Sequence, residues 1–512
     1  MTVLAALDLG TNSFHLVVAR VVGDGYEVIA REKQTIRLGH GGGDMKLLTD
    51  DAMDRGIASL QHMARVAAVH EAPIRAVATS AVREAENNDV FIRRARVEAG
   101  VDIEIVSGIE EARLIHLGVL QAVPAFESRL IGVDIGGGST EVFVGQRGEM
   151  LTARSFKLGA VRLTDRFFPG GHTSPPSIHE CSTYVRSVLA GFEREVAELG
   201  FDIAVASSGT AETIAMLVTA ERGEARPRTL NGFTFTRAEL DETVDRLVAK
   251  RTPSSRLAVR GLEQARADII PAGALVLQCV AEAFDIGEFT FSEGALREGI
   301  LIDTIARGRG GVLHHLRDVS RRSIAALATR CDDDPVHSQH VAQLALELYD
   351  ATTDLHGLPP DARDYLEAAA LLANVGLVIS HSKHHLHSYY VIRNSELTGL
   401  TDREIEIIAQ VARYHRKSNP KPSHADFQAL AAEERHVVRA LAGMLRIAIG
   451  LDRSHDGRVA AVRATRVERT LRVDAIATDD RDLTLEIYTA NERSGLLSEV
   501  LDLRVDVVAV AT

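Results

Sequence analysis

The sequence predicts an α/β protein with two related halves, followed by an all-α region and a small β-rich C-terminal module. The first observation is a repeated unit in which an apolar, strand-like run leads to an aspartate and a turn of small residues, at Asp8 and again at Asp134. The two aspartates are 126 positions apart, which indicates an internal duplication. The second observation is a change near residue 308, where helical periodicity replaces strand signals.

Strands and helices alternate along the first half. Apolar runs predict strands at 3–7, 14–19, 74–78 and 103–106. Helical periodicity predicts helices at 51–69, 89–98 and 110–120. Because the two kinds of element alternate, we expect a sheet with helices packed on it rather than a helical bundle.

The second half repeats this layout and then gives way to helices. A strand, a turn and a strand return at 130–144, and two apolar runs followed by loops lie at 203–210 and 291–299. Helices are predicted from 314 to about 451, and the alternation of apolar and polar residues at 471–475 and 483–488 predicts strands of a terminal module. The predicted domains span 1–122, 123–308, 309–455 and 456–512.

The composition is that of a globular protein and excludes several partners. With 46% hydrophobic residues in 512, the chain can bury a large core. Its formal net charge of −13 argues against a nucleic-acid partner, so an anionic substrate would need a local basic lining or a metal. The most apolar stretch, 271–284, is too short to span a bilayer, and no basic leader precedes the first strand. We therefore expect a cytoplasmic protein without a membrane span.

Both turns have residues suited to holding phosphate. Their glycines let a backbone approach a ligand closely, and their amides and hydroxyl groups can donate hydrogen bonds to phosphate oxygens. A single turn of this kind is more often a plain hairpin, but the pair favours a phosphate clamp. The candidate phosphate-binding residues are Gly10, Thr11, Asn12 and Ser13 in the first turn (10–13) and Gly136, Gly137, Gly138, Ser139 and Thr140 in the second turn (136–140).

Carboxylates near these turns are candidates for catalysis, namely Asp8, Glu111, Asp134 and Glu141. Hydrolysis of a phosphoanhydride needs a group that orients or deprotonates water, and commonly a divalent cation that neutralises the developing charge. Glu111 also opens a predicted helix, where an acidic residue favours the helix dipole. Its position alone therefore favours a structural role.

Taken together, the motifs resemble one enzyme family. They lie in the family's order between 1 and 305, as DLGTNS (8–13), TSAVREA (79–85), SGIEEARLI (107–115), DIGGGSTE (134–141), SSGT (207–210), RADIIPAG (266–273) and SEGALREG (292–299). The chain is similar to the long form of the exopolyphosphatase/guanosine pentaphosphate phosphatase (Ppx/GppA) family. The resemblance implies that both halves have the actin-like (ASKHA, ribonuclease H-like) fold.

The resemblance also implies roles for individual residues. Glu111 would be the general base that activates the attacking water. The implied site has Glu111, Asp134 and Glu141 as catalytic residues, Asp134, Glu141 and Asp8 as ligands of Mg2+ or alternatively Mn2+, and Arg83, Ser208 and Gly209 as substrate contacts besides the two turns. Water would then attack the terminal phosphorus in line, with no phosphoenzyme.

The helical region resembles the HD-like domain of the longer family members. A working HD phosphohydrolase needs a metal-binding His-Asp pair where this chain has Ala373 and Asn374. We therefore expect no metal-dependent catalysis in this region, even with His340 and Asp452 available.

Two further groups in the helical region have alternative interpretations. The histidines are compatible with a transition-metal site, but a polar loop packed on neighbouring helices is favoured; they are His381, His384, His385 and His387. The basic run at 413–417 would either extend a path for polyphosphate or form a solvated helix end.

The sequence predicts an exopolyphosphatase that removes terminal phosphate from inorganic polyphosphate. The alternative is a guanosine pentaphosphate 5'-phosphatase that uses the same site, because both substrates end in a phosphoanhydride. An ATP-dependent sugar or acid kinase on the same scaffold is a second class, and a non-catalytic sensor of alarmone or polyphosphate is a third. The presence of Glu111, Asp134 and Glu141 argues against the sensor. By resemblance we expect a homodimer.

Overall fold

The computed structural model describes residues 2–22, 25–41, 44–224, 229–308, 314–395, 397, 400, 402–479 and 481–510. The chain divides into two compact units, Met1–His314 and His315–Thr512. The four-part division expected from the sequence stays a prediction.

The strands alternate with helices in the first unit and follow the helices in the second. The strands are β1 (Val3–Leu9), β2 (Ser13–Val22), β3 (Gly25–Thr35), β4 (Ile74–Ala78), β5 (Ile103–Ile105), β6 (Leu130–Ile135), β7 (Thr140–Gln146), β8 (Glu149–Phe156), β9 (Ile203–Ser207), β10 (Thr234–Thr236), β11 (Glu288–Ser292), β12 (Val459–Val467), β13 (Thr470–Ala477) and β14 (Arg504–Val510).

The helices of the first unit are α1 (Asp50–Val69), α2 (Ser80–Glu84), α3 (Asn88–Arg94), α4 (Gly108–Ala122), α5 (Ala160–Phe167), α6 (Pro175–Leu189), α7 (Glu193–Leu199), α8 (Ser208–Glu221), α9 (Arg237–Ala249), α10 (Pro253–Arg256), α11 (Ile270–Ala283) and α12 (Leu296–Gly308). Those of the second are α13 (His314–Cys331), α14 (Pro335–Ala351), α15 (Thr353–His356), α16 (Ala362–Leu372), α17 (His384–Arg393), α18 (Asp402–Arg413), α19 (Ala425–Gln428), α20 (Ala432–Leu451), α21 (Thr484–Arg493) and α22 (Gly495–Leu501). A π-helical turn, Ala95–Ala99, extends α3.

The two sheets of the first unit have the same topology. In the first sheet the strand order is β3-β2-β1-β4-β5, and in the second the order β8-β7-β6-β9-β11 repeats it, with β10 added beyond β11. β1 and β6 each run antiparallel to the following strand and parallel to β4 and β9, respectively. The repeat confirms the internal duplication, and it places the ends of β1 and β6, with their turns, at equivalent positions.

Helices α4 and α12 pack closely because glycines face the backbone of the partner helix. A Cβ added to Gly118 would lie 2.0 Å from the carbonyl oxygen of Ala295, and one added to Gly299 would lie 1.8 Å from that of Leu114. A larger residue at either position would force the helices apart. This packing holds the first turns of both helices near the strand ends.

A buried ion cluster ties the same two helices to β4. Arg113 donates hydrogen bonds to Glu110 and, at 2.8 Å, to Asp303, while Arg75 and Arg307 also donate to Asp303. The three arginines hold the pKa of the buried Asp303 well below its usual range, although burial opposes them.

In the second unit the helices share one core with a small sheet. The sheet has the order β12-β13-β14, in which β13 is antiparallel to β12 and parallel to β14. Its inward side chains, such as Leu471 and Val473, belong to the same hydrophobic cluster as Leu344 of α14 and Leu445 of α20. None of the described helices is long and apolar enough to cross a bilayer.

The prediction of a strand at 483–488 is wrong, because this segment starts helix α21. Glu486 and Ala490, one helical turn apart, are buried, whereas Leu485 and Tyr488 are exposed. The close contact of Gly450 with the backbone of Ala490 explains the burial, since a Cβ on Gly450 would lie 2.7 Å from the Ala490 Cα. Tertiary packing on α20 overrides the short alternating pattern.

Candidate active site

The two turns predicted from the sequence face each other across a cleft in the first unit. A Cβ added to Gly137 would lie 3.1 Å from the backbone nitrogen of Asn12, and one added to Gly138 would lie 2.2 Å from Oγ of Ser80. Thr11 Oγ1 and Ser80 Oγ are 3.0 Å apart and hydrogen-bonded. Glycine is therefore required at position 138, because a Cβ there would also lie 2.7 Å from Oγ1 of Thr11 in the first turn.

A buried arginine fixes the second turn from behind. Arg162 Nε donates to the carbonyl oxygen of Gly138 at 2.8 Å, and its two other nitrogens donate to Asp44 at 2.7 Å and Glu84 at 2.9 Å. These hydrogen bonds use the fixed fork of the guanidinium, so they hold the turn in one position before any ligand arrives.

Asp134 lies at the end of β6, where two serines position its carboxylate. Ser207 Oγ donates to Oδ2 at 2.5 Å, and Ser208 Oγ lies 2.8 and 2.7 Å from the two oxygens. Ser208 has φ of +67°, a left-handed conformation that is unfavourable for a residue other than glycine. Burial raises the pKa of Asp134, and the serine hydrogen bonds oppose that rise.

Glu141 faces Asp134 across the β6–β7 pair and is almost wholly buried. Ser155 Oγ donates to its carboxylate at 2.7 Å. Burial, followed by repulsion from Glu111 and Asp134, raises the pKa of Glu141 well above its usual value.

Glu111 lies in the first turn of α4, which begins because Ser107 Oγ caps it by accepting from the Glu110 amide. Arg83 Nη1 donates to Glu111 Oε2 at 2.8 Å and to the carbonyl oxygen of Val106 at 2.9 Å. Burial raises the pKa of Glu111, and the Arg83 guanidinium opposes the rise. The helix-end role suggested by position therefore coexists with a carboxylate that lines the cleft.

Asp8 is a further carboxylate on the cleft wall, besides Glu111 and Asp134. Burial and repulsion from Glu111 raise its pKa to about 8, while Arg297 opposes the rise. Buried carboxylates that repel one another are stabilised by a cation between them.

The donor chemistry of this site fits Mg2+. In the part of the chain that the structure describes, no three His, Cys, Asp or Glu side chains are grouped as a complete ligand set. Mg2+ is commonly held by one or two carboxylates together with water and substrate phosphates, so a complete protein cage is not required. Hard carboxylate oxygens are the ligand type that this ion prefers.

The cleft has a volume of about 540 Å3 and a basic lining that the sequence did not identify. The basic residues on its wall are Arg31, Lys33, Arg266 and Arg297. Arg266 lies across the start of α8, since a Cβ on Gly209 would lie 1.6 Å from its Nη2. Burial and the charge of Arg266 lower the pKa of Lys33. The lining also contains carboxylates, so an anion would be held by these basic side chains together with a cation that offsets the acidic ones, which are Asp8, Glu32, Glu111, Asp134, Glu212 and Glu293.

The structure brings together most of the predicted site residues. The cleft wall contains Asp8, Gly10, Thr11, Asn12, Ser13, Glu111, Asp134, Gly136, Gly137, Gly138, Ser139, Ser208 and Gly209. Arg83, Thr140 and Glu141 are not part of that wall, and each contacts a group behind it: Thr140 Oγ1, for example, donates to the carbonyl oxygen of Leu158. Arg266 and Arg297 lie within motifs of the resemblance, which was the signal available for them.

The expectation of a polar loop for the histidine cluster is wrong, because His384, His385 and His387 lie in α17, and His381, just before it, is exposed. His384 and His385 are buried, and His384 Nε2 lies 3.2 Å from Nε2 of His415. Arg416 Nη1 contacts the His384 ring at 3.0 Å, which disfavours a cation there. Since no such metal-ligand group is found among the described residues, the transition-metal interpretation has no support.

Asp452, the acidic residue considered in the helical region, contacts a histidine. His337 Nδ1 lies 2.7 Å from Asp452 Oδ2, and His340 Nε2 lies 3.9 Å from Oδ1. His455 stacks on His337 with ring centroids 3.6 Å apart and pairs with Asp334 at 2.8 Å. These contacts join the start of α14 to the end of α20.

Two α/β sheets of the same topology, with a polar cleft of glycine turns and carboxylates at their strand ends, define an α/β protein of the actin-like class. Residues 17–307 match the Ppx/GppA phosphatase family, and residues 319–492 match domain III of Ppx/GppA phosphatases. The chain belongs to the Ppx/GppA phosphatase family. The resemblance predicted from the motifs is thus confirmed, as is the prediction of a phosphatase.

Relatives of known name cover most of the chain. The chain is 30% identical to the guanosine-5'-triphosphate,3'-diphosphate pyrophosphatase of Vibrio vulnificus. The 423 matched residues cover 81% of this chain and 80% of that protein. The protein of the same name from Pseudoalteromonas translucida is 30% identical over 454 residues, 87% of this chain and 86% of that one.

Solved structures resemble the first unit. An exopolyphosphatase from Cytophaga hutchinsonii is 30% identical, with a TM-score of 0.56, over 60% of this chain and 98% of that chain. The Aquifex aeolicus member of the Ppx/GppA family shares the fold. It is 24% identical, with a TM-score of 0.51, over 60% of this chain and 99% of that chain. The actin-like α/β architecture followed by a helical domain is therefore established.

Proposed function

We propose that this protein is an exopolyphosphatase that hydrolyses the terminal phosphoanhydride of inorganic polyphosphate. The observation that carries the proposal is the cleft, whose lining combines the two facing glycine turns with basic side chains and with the carboxylates of Asp8, Glu111 and Asp134. The exopolyphosphatase name of the Cytophaga hutchinsonii structure supports it.

In this mechanism Glu111 accepts a proton from the attacking water. Burial raises its pKa, which makes it a stronger base than an exposed glutamate, while Arg83 opposes that rise and orients the carboxylate at 2.8 Å. The water then attacks the terminal phosphorus in line, and the shortened chain leaves. We assign Arg83 mainly to holding Glu111, with substrate contact retained as a prediction.

The remaining groups bind the anionic chain. Backbone amides and hydroxyls of the first and second turns, with Ser208 and Gly209, would hold the terminal phosphates, and Arg266 and Arg297 would balance their charge. Asp8, Asp134 and Glu141 would hold Mg2+, or alternatively Mn2+, directly or through water. When bound, the ion neutralises charge that develops on the phosphate oxygens.

Guanosine pentaphosphate 5'-phosphatase activity in the same cleft is the second candidate. It is favoured by the pyrophosphatase name of relatives that share 30% identity over more than four-fifths of the chain. Both substrates present a terminal phosphoanhydride, so the same residues would act on either.

We propose that the helical domain is HD-like but has no second catalytic centre. The interaction of Asp452 with His337 supports this, as does the presence of Ala373 and Asn374 where a working site needs metal ligands. The cytoplasmic location and the homodimer stay predictions. The kinase and the non-catalytic sensor are disfavoured by membership of a phosphatase family.

The test is phosphate release by the full-length chain from long-chain polyphosphate and from guanosine pentaphosphate, with Mg2+, with Mn2+ and with chelator. Fast, metal-dependent release from polyphosphate supports the proposal. Phosphate release from guanosine pentaphosphate but not from polyphosphate supports the second candidate instead. Tight binding of both substrates without phosphate release would support the non-catalytic sensor.

A further inference from the structure

We propose that Arg297 and His15 are positioning residues that fix the Ser13 hydroxyl as a hydrogen-bond donor towards a phosphate oxygen in the cleft. The inference rests on the proposed function, because it concerns the same substrate. Neither Arg297 nor His15 was identified from the sequence as a site residue.

The three side chains form a continuous hydrogen-bonded series. Arg297 Nη1 lies 3.0 Å from His15 Nδ1, and His15 Nε2 lies 2.7 Å from Ser13 Oγ. Arg297 is itself held by Glu298, whose carboxylate accepts from Nε at 2.8 Å. All three members of the series line the cleft, and Ser13 is the one that belongs to the first phosphate-binding turn.

The chemistry of arginine assigns every proton in this series. A guanidinium can only donate, so Nδ1 of His15 must accept from Arg297 and has no proton of its own. In neutral imidazole the proton is then on Nε2, which donates to Ser13 Oγ. Because the serine oxygen accepts there, its own O–H is directed elsewhere, and the open direction is the cleft.

The surroundings keep His15 neutral. Burial, followed by the nearby charges of Arg297, Lys33 and Arg266, lowers the pKa of His15 to about 3. Lys33 is the cross-strand partner of His15 in the β2–β3 pair. The hydrogen-bond geometry requires the neutral ring in any case, because an imidazolium would donate from both nitrogens and leave no acceptor for Arg297.

The duplication shows that this arrangement is special to the first half. His15 pairs with Asp8 across β1 and β2, as Glu141 pairs with Asp134 across β6 and β7. The equivalent position thus has a carboxylate in one half and a neutral imidazole in the other. An imidazole here transmits the orientation set by Arg297 to Ser13 without adding a further negative charge beside the phosphates.

A double-mutant cycle tests whether His15 acts through Ser13. The variants are His15→Phe, which keeps a ring but removes both nitrogens, Ser13→Ala, and the combination. Each single change should lower kcat/KM for polyphosphate about tenfold to a hundredfold, the usual effect of one hydrogen bond to a charged group. The kcat/KM of the double variant should lie within about threefold of that of the less active single variant, because the second change removes an interaction already lost. Losses that multiply would overturn the proposal.

A conservative substitution separates orientation from packing. In His15→Gln the amide oxygen can accept from Arg297 while the amide nitrogen donates to Ser13. We expect this variant to recover at least about a third of the wild-type kcat/KM. Recovery no better than that of His15→Phe would count against the proposal.

The tautomer of His15 can be determined without an activity assay. Nitrogen NMR of the full-length chain labelled with 15N-histidine, with the His15 signals assigned by their loss in His15→Gln, should show protonated Nε2 and unprotonated Nδ1 at pH 7. The opposite tautomer or an imidazolium would overturn the assignment. If wild type releases phosphate from neither substrate, the proposed function fails but the inference about His15 can still be tested. The same mutant cycle is then measured on the affinity for tripolyphosphate by calorimetry. Coupling between the two changes supports the inference, and additive losses of affinity overturn it.

Discussion

Arg83 Nη1 donates a 2.8 Å hydrogen bond to Oε2 of Glu111, so the cation expected to contact substrate is bound to the expected general base. The same nitrogen donates to the Val106 carbonyl oxygen, which fixes the guanidinium at the end of β5. Burial and Arg83 act on the pKa of Glu111 in opposite directions. The pair therefore sets the pH at which the base becomes ionised.

Arg83→Met should move the acidic limb of the kcat/KM profile to higher pH. Removing the guanidinium takes away the effect that lowers the pKa of Glu111, so a higher pH is needed to ionise the base. The shift should be at least about one pH unit. Arg83→Lys, which keeps the charge, should shift the limb less, and Arg93→Met, whose exposed arginine pairs with Asp89, should not shift it. An unmoved limb in Arg83→Met would contradict the role given to this pair.

Asp8→Asn should stabilise the metal-free protein at pH 8 more than at pH 5. The pKa of Asp8 is raised on folding from 3.8 to about 8, so between these values the folded state binds more protons than the unfolded state. Its contribution to the free energy of unfolding is present at low pH and falls as pH rises through this window. The gain at pH 8 should exceed the gain at pH 5 by more than about 1 kcal/mol, the free energy that corresponds to one unit of pKa shift. Urea unfolding in chelator measures it, with the exposed Asp51→Asn as control; an equal effect at both pH values would refute the prediction.

Gly138→Ala should abolish most activity with little loss of fold. Its methyl group would lie 2.2 Å from Ser80 Oγ and 2.7 Å from Thr11 Oγ1, so the two turns must separate. A displacement of about 1 Å is enough for a loss on the order of a hundredfold in kcat. Gly136→Ala is the matched control, because its Cβ meets only the Ser139 carbonyl oxygen, at 3.4 Å, and its loss should be several-fold smaller. Equal losses would show that the contact between the turns is unimportant.

Asp303→Ala should destabilise the first unit by about 3–5 kcal/mol. The change leaves Arg113 buried without one of its carboxylate partners and also removes one of the two carboxylate partners of Arg75. Chemical unfolding of the full chain, followed by circular dichroism, measures the loss. Asp89→Ala breaks an exposed ion pair with Arg93 and should cost less than about 1 kcal/mol. A comparable loss in both variants would contradict the importance of the buried cluster.

The parts of the fold that depend on local pattern could be predicted. The apolar run, aspartate and turn at 8–13 and 134–140 were recognisable because a strand end and a glycine turn are encoded within a few residues. The strand predicted at 74–78 coincides with β4. The edge strands β3 and β8 had no comparable pattern, because each pairs on one side and tolerates charge; β3 contains Arg31, Glu32 and Lys33 in succession.

Contacts between distant residues could not be predicted. Arg297 and His15 are 282 positions apart, and Lys33 reaches the cleft only because β3 pairs with β2. The family motifs included Arg297 but gave no reason to pair it with histidine. The misread segment at 483–488 has the same cause, since its helix depends on packing against α20.

The most direct test of the central claim is single-turnover phosphate release by Glu111→Gln with Mg2+ and the substrate that wild type cleaves. The change keeps the size of the side chain and removes its ability to accept a proton from water. We expect kcat to fall about a hundredfold to ten-thousandfold while substrate affinity stays within about threefold. A variant that retains more than about a tenth of the wild-type rate would contradict the assignment of Glu111 as the base.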